Sequence, residues 1–215
     1  MHVALLWMRR CRLTLALAAI LIAGAAVSQS FHGPISDEWC HRWGCSPELF
    51  RQGQWYRMLT SLPFTAGGAK FYLSLFMLIG CVGVVEYRIG AVRTLLAFLG
   101  FHLITLLTLC TAITLASGMG IAWAKTLENA PDVGPSAGYY GCLGLVTALV
   151  DTKLRRFILL GVLLALGIRV GWSGMHLPQA AQTLSADLAH LVAFPIGFIT
   201  GKTLFDKKPR AGTTT

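Results

Sequence analysis

The chain has 215 residues, of which 55% are apolar and only 13% charged. A soluble domain carries about a quarter charged residues because its surface faces water, so this composition excludes a water-soluble globule and requires that most of the surface meet lipid. The net charge of +9 would suit nucleic acid, but the basic residues form no Lys/Arg stripe with interleaved aromatics; they fall between apolar runs.

Taken in chain order, six runs are predicted to span. They are about Leu13–Val27, Phe71–Val85, Thr94–Ala116, Ser136–Val150, Phe157–Val170 and Leu188–Phe205. Several are shorter than the ~20 residues that cross a ~30 Å hydrocarbon core alone, so neighbouring helices must shield their ends. The chain divides into a short N-terminal segment 1–12, an all-α six-helix membrane domain 13–205 and a basic tail 206–215. Met8-Arg9-Arg10-Cys11-Arg12, a short apolar run and Ala23-Gly24-Ala25 also imitate a cleavable signal peptide. Its removal would leave five spans.

Flanking charge sets the orientation. One side collects Arg9, Arg10, Arg12, Arg88, Arg93, Lys153, Arg155, Arg156, Lys202, Lys207, Lys208 and Arg210 against Glu86, Asp151 and Asp206, a balance of 12 − 3 = +9. Arg42, Arg51, Arg57, Lys70, Lys125 and Arg169 on the other side face six acids, a balance of zero. Six spans with both termini cytoplasmic follow, in a multi-pass integral protein of a bacterial inner membrane.

The first outer loop, about 31–68, carries Trp39, Trp43 and Trp55 and reads as an interfacial segment at headgroup level. It also holds Cys40 and Cys45, which could close a very small disulfide loop in an oxidising compartment. The other four cysteines read as buried apolar residues, and no metal-ligand spacing appears. Small residues four apart in the sixth span, Ala193, Gly197 and Gly201, with Gly141 and Gly144 in the fourth, mark faces for close helix packing.

Ser136 opens the fourth span after Gly134-Pro135, 15 to 17 residues before Asp151 and Lys153. At 1.5 Å per residue it stands ~22–26 Å above the inner boundary. His190, 12 to 16 residues before Lys202 and Asp206, stands at ~18–24 Å. His102 in the third span stands at ~14 Å and matches less well. A serine hydroxyl becomes a nucleophile when a base takes its proton, and histidine titrates near neutrality. The helix start offers free N–H groups to an oxyanion. Tyr140, four residues on, shares the serine's face and could pack beside an imidazole. Asp187, three residues before His190, reads as an outer-boundary charge or as a third member that orients the histidine. A helix-start serine and an interhelical hydrogen-bonding histidine remain the plain structural reading.

These residues resemble a known family, the rhomboid intramembrane serine proteases, over about Gly53 to Gly201. Gly53-Gln54-Trp55-Tyr56-Arg57 is similar to the family's Trp-Arg loop motif, and Glu86-Tyr87-Arg88 to its Glu-x-Arg pair. Gly134-Pro135-Ser136-Ala137 resembles the Gly-x-Ser-Gly nucleophile motif. Ala189-His190 with Ala193 and Gly197 resembles its sixth span. The resemblance implies hydrolysis of transmembrane protein substrates by a Ser136–His190 dyad, without metal or cofactor. It also implies that Trp55 and Arg57 anchor the loop in the outer leaflet, and that Glu86 and Arg88 join helix ends at the cytoplasmic side.

The chain departs from the family at Ala137, where glycine is usual. It departs again where the second span usually shows His-x-x-x-Asn, here Lys70 and Ser74, and at Thr65 in place of an upstream histidine. Lys70 and Ser74 can still donate hydrogen bonds to an oxyanion. Two other functions stay open. A pseudoprotease would bind transmembrane partners without cutting them, and a small transporter would favour repeated halves with broken helices, which the sequence lacks.

Overall fold

The computed structural model describes residues 10–205. The N-terminal arginine at position 9 and the basic tail lie outside the described residues. The described chain is helical, with two isolated β-bridges tying loops together. Helix α1 is Arg12–Val27. The outer loop folds into three short helices, α2 (Asp37–Trp43), α3 (Pro47–Arg51) and α4 (Arg57–Thr60). Next come α5 (Ala69–Ile89), α6 (Ala91–Gly118), α7 (Ala122–Glu128), α8 (Ser136–Leu149), α9 (Thr152–Met175) and α10 (Ala181–Phe205).

Four helices, α5, α6, α9 and α10, are long and apolar enough to cross a membrane. Helix α1 has 16 residues and α8 has 14, or ~24 and ~21 Å of rise. The short α8 is also the most enclosed. Most of its residues are buried, and its pairing with α10 is the most extensive helix contact among the described residues. Neighbours therefore cover its ends, as a short apolar helix requires.

Small residues set that pairing. A Cβ on Gly197 would stand 1.8 Å from the Gly141 carbonyl oxygen, and one on Gly144 would stand 2.1 Å from that of Phe194. The two backbones are in direct contact, the packing that small residues at four-residue spacing permit. Gly138 and Gly141 accommodate the rings of Phe98 and Phe101 from α6 in the same way. Below this seam Leu78, Val82, Val85, Phe98, Tyr139, Cys142 and Leu145 form the main core.

Glu86 fastens the first helix. Its carboxylate, 1% exposed, accepts the backbone N–H groups of Leu13 and Thr14, each at 2.8 Å, and the Thr14 hydroxyl at 2.7 Å. A carboxylate there satisfies two of the N–H groups that open a helix and meets its positive dipole end. Glu86 thus links the end of α5 to the start of α1. Arg88 is exposed and forms no ion pair among the described residues.

Two of the three tryptophans of the outer loop pack within it. Trp39 and Trp43 turn inward against Phe64, at centroid distances of 5.4 and 6.1 Å. Trp55 is the outward one, 65% exposed. Arg57 donates from Nη1 to the carbonyls of His41, Arg42 and Gly44 at 2.8, 2.9 and 3.1 Å. It caps the end of α2, where unpaired carbonyls and the negative dipole end favour a cation. His102 of α6 holds the Met58 carbonyl at 2.7 Å through Nε2, which ties the loop to a span.

The two loop cysteines separate. Cys40 packs with Trp39, Phe64 and Val133, and Cys45 with Met58 and Cys110. Both are free thiols.

Candidate active site

Ser136 is the first residue of α8. The chain reaches it through Gly134, whose φ of +134° suits glycine alone, and Pro135, which cannot continue a preceding helix. The approach is clamped to the outer loop by backbone bonds. Gly134 N–H donates to Ser61 O at 3.1 Å, and Cys45 and Asp132 exchange N–H···O bonds at 2.9 Å. No side chain caps the first turn of α8, so its opening N–H groups are available to a ligand.

A cavity of about 260 Å³ opens at this point. Ser136, His190, Tyr140, Lys70 and Ser74 all line it, so the structure brings together the residues that spacing and resemblance singled out. Cys40 also reaches its wall, whereas Trp55, Arg57, Glu86 and Arg88 lie elsewhere.

His190 comes from α10, the helix held against α8 by the glycine seam. Its ring stacks on Tyr140 at 4.0 Å between centroids and 15° between planes. The residue is 7% exposed, and neither ring nitrogen has a hydrogen-bond partner among the described residues. Buried polar nitrogens are normally satisfied, so an imidazole left open beside a cavity is available to a reacting group. His102 differs in that its Nε2 is already committed to a backbone carbonyl.

Asp187 is not a boundary charge. It is fully buried and accepts from Arg169 of α9, at 2.8 Å from Nε and 2.6 Å from a terminal guanidinium nitrogen, and from the Ser173 hydroxyl at 3.1 Å. His190 Nδ1 lies 3.9 Å from the same carboxylate. Of the two roles that sequence leaves open for Asp187, boundary charge and orienting partner of His190, burial removes the first; its Arg169 partner lies 18 positions away on another helix.

Ser74 Oγ and the Tyr139 hydroxyl are 3.1 Å apart, both buried and both in the cavity wall. Tyr139 escaped the sequence reading. Its offset of three from Ser136 puts it on the serine's side of α8, but nothing in sequence reveals a partner on α5. Asp132, in the loop before Ser136, also lines the cavity. Burial raises its carboxyl to about 7, opposed by the Val133 N–H that it accepts at 2.9 Å and by the charge of Lys70. Burial likewise raises the Cys40 thiol to about 11, which makes it a poor nucleophile at neutral pH. No group of three or more potential metal ligands occurs among the described residues.

The arrangement offers a hydroxyl at a helix start, an open imidazole, and hydroxyl and ammonium donors around one cavity, the parts that acyl transfer uses. A family model for the Rhomboid domain matches residues 52–207. No curated protein and no solved structure matches the chain significantly. With well over half its length matched after this geometry, the chain belongs to the rhomboid family.

Proposed function

We propose that the chain is an intramembrane serine protease that cleaves transmembrane proteins with Ser136 as nucleophile and His190 as base. The supporting observation is the shared cavity, which is lined by a helix-opening serine and by a buried histidine with both ring nitrogens open. In this reading His190 takes the Ser136 proton as Oγ attacks the scissile carbonyl, and then gives it to the leaving amine. Water, activated by the same imidazole, releases the acyl group. The opening N–H groups of α8, with Ser74 and Lys70, face the developing oxyanion. Tyr140 holds the imidazole by stacking, and no step draws on a metal or cofactor.

The protein acts as a six-span domain with α1 and α8 as its short spans and both termini cytoplasmic, in a bacterial inner membrane. Its partners are the lipid bilayer and transmembrane substrates. The rival reading is a pseudoprotease that binds such partners without cutting them. It is favoured by Lys70, Ser74 and Ala137 standing where the family usually carries histidine, asparagine and glycine.

Labelling of purified protein by a fluorophosphonate separates the two. Wild type is expected to label, and Ser136→Ala and His190→Ala to lose labelling. Equal labelling of all three, or none of any, refutes the dyad.

A further inference from the structure

Several hydroxyls in the helices of this protein donate to the carbonyl four residues back. Thr94 donates to Gly90, Thr147 to Leu143 and Thr200 to Ile196, each at 2.8 Å. That bond uses the hydroxyl's one proton within its own helix. Ser74 does not take this route. It reaches across from α5 to the Tyr139 hydroxyl on α8, 3.1 Å away.

Counting protons gives the consequence. Two hydroxyls carry two protons and need one for the bond between them, so one proton remains. Ser74 is 8% and Tyr139 5% exposed, and a buried O–H left unsatisfied is costly. Both line the cavity into which Ser136 opens, the space from which an acceptor for the remaining proton can enter. The phenol is the more acidic of the two hydroxyls and so the better donor. Donation from Tyr139 to Ser74 polarises the serine and leaves Ser74 O–H free.

We infer that Tyr139 is a positioning residue for the reaction: it donates to Ser74 Oγ and so orients and strengthens Ser74 O–H as an oxyanion donor. The inference rests on the protease reading and deepens it. A hydroxyl alone rotates freely and could fall back on its own helix carbonyl. The Tyr139 bond holds Ser74 Oγ toward α8, where it makes no hydrogen bond to its own helix, and hydrogen bonds in a chain strengthen one another. Ser74 thereby presents a fixed donor in a place where a short, flexible side chain would otherwise be ill-defined. Core packing supplies the rigidity, since Tyr139 sits among Val82, Phe98 and Leu145.

The test is a double-mutant cycle on full-length protein in detergent, with kcat on a transmembrane substrate counted per fluorophosphonate-titrated site so that misfolded protein is not scored. Ser74→Ala is expected to lower kcat ~10²-fold, within the range for loss of one oxyanion donor. Tyr139→Phe keeps the ring and is expected to lower kcat ~10-fold with KM unchanged, since its effect is confined to the transition state. The double variant should be no slower than Ser74→Ala, because Tyr139 acts only through that hydroxyl. Wild-type kcat in Tyr139→Phe, or losses that multiply in the double variant, overturns the relay while leaving the dyad standing. A wild type that neither labels nor cleaves overturns both. A purely structural Tyr139 would lower thermal stability and leave kcat per titrated site unmoved.

Discussion

Replacing Glu86 is the most direct test of how the first helix is held. Its carboxylate takes three hydrogen bonds of 2.7–2.8 Å, two of them from backbone N–H groups that begin α1. Hydrogen bonds to a charged group contribute ~1.5–3 kcal/mol each, and the buried donors left behind by its removal add to the loss. Against this, Glu86→Ala also removes the cost of holding a carboxylate at 1% exposure. The three bonds share one side chain and are not additive. The balance is about 4 kcal/mol for Glu86→Ala. Glu86→Gln keeps one acceptor oxygen but turns an NH₂ toward a donor, and is expected to cost about 2 kcal/mol.

The assay is reversible unfolding by sodium dodecyl sulfate in mixed micelles, followed by tryptophan fluorescence. Hydrogen exchange at Leu13 to Ala18 locates the damage. Loss of the clamp should open α1 first, because the other end of that helix has its own contact, Gly24 against the Pro63 carbonyl. A Glu86→Ala protein within ~0.5 kcal/mol of wild type, the ordinary range for surface substitutions, would refute the clamp.

Gly197→Ala should separate α8 from α10, since its Cβ would lie 1.8 Å from the Gly141 carbonyl oxygen and neither backbone can yield cheaply. A shift of ~1 Å between catalytic groups costs ~10² in rate, so fluorophosphonate labelling should slow by that factor. Gly161→Ala on α9, where a Cβ meets nothing within 4 Å, should label at the wild-type rate. Asp132 gives a pH signature. Its carboxyl is raised from 3.8 to about 7 in the fold, so the native state holds the proton more tightly than the unfolded chain. Stability then falls as pH rises from about 4 to about 7 and levels off above. Thermal midpoints should follow that slope in wild type and lose it in Asp132→Asn. A slope retained by the variant would assign it to another group.

The membrane-crossing runs were legible because an apolar helix is written in composition, and they were cut short wherever polar residues had a hidden use. The last span was expected to start at Leu188 but begins at Ala181. The added turns contain Gln182, Thr183 and Ala186 in the cavity wall and Asp187 on Arg169 and Ser173. Apolarity as a criterion stops at such residues, although Asp187 is fully buried within the protein. The fifth span grew in the same way, from Phe157–Val170 to Thr152–Met175, with Asp151 capping its start by accepting the N–H groups of Lys153 and Leu154. For Arg57 the family resemblance implies a role, with Trp55, in anchoring the loop in the outer leaflet. Its three carbonyl partners 13 to 16 positions away only exist once α2 has folded.

Depth puts Ser136 and His190 at one height, and the structure explains why so crude a ruler leads to one cavity. Rise per residue converts sequence into height only if the two helices keep a fixed register, and the Gly197–Gly141 and Gly144–Phe194 contacts allow no sliding. Height alone leaves the angle around each helix undetermined. The angle decides which neighbours of Ser136 face the cavity, and the i+3 and i+4 positions compete for that role. Tyr140 meets His190 on α10, while Tyr139, one position earlier, turns toward Ser74 on α5. Adjacent tyrosines on one helix thus serve two different neighbours. The one facing the imidazole was legible because a histidine at that height was already in view. The other became visible only when α5, with its π turn at Leu78–Val82, set the direction in which Ser74 points.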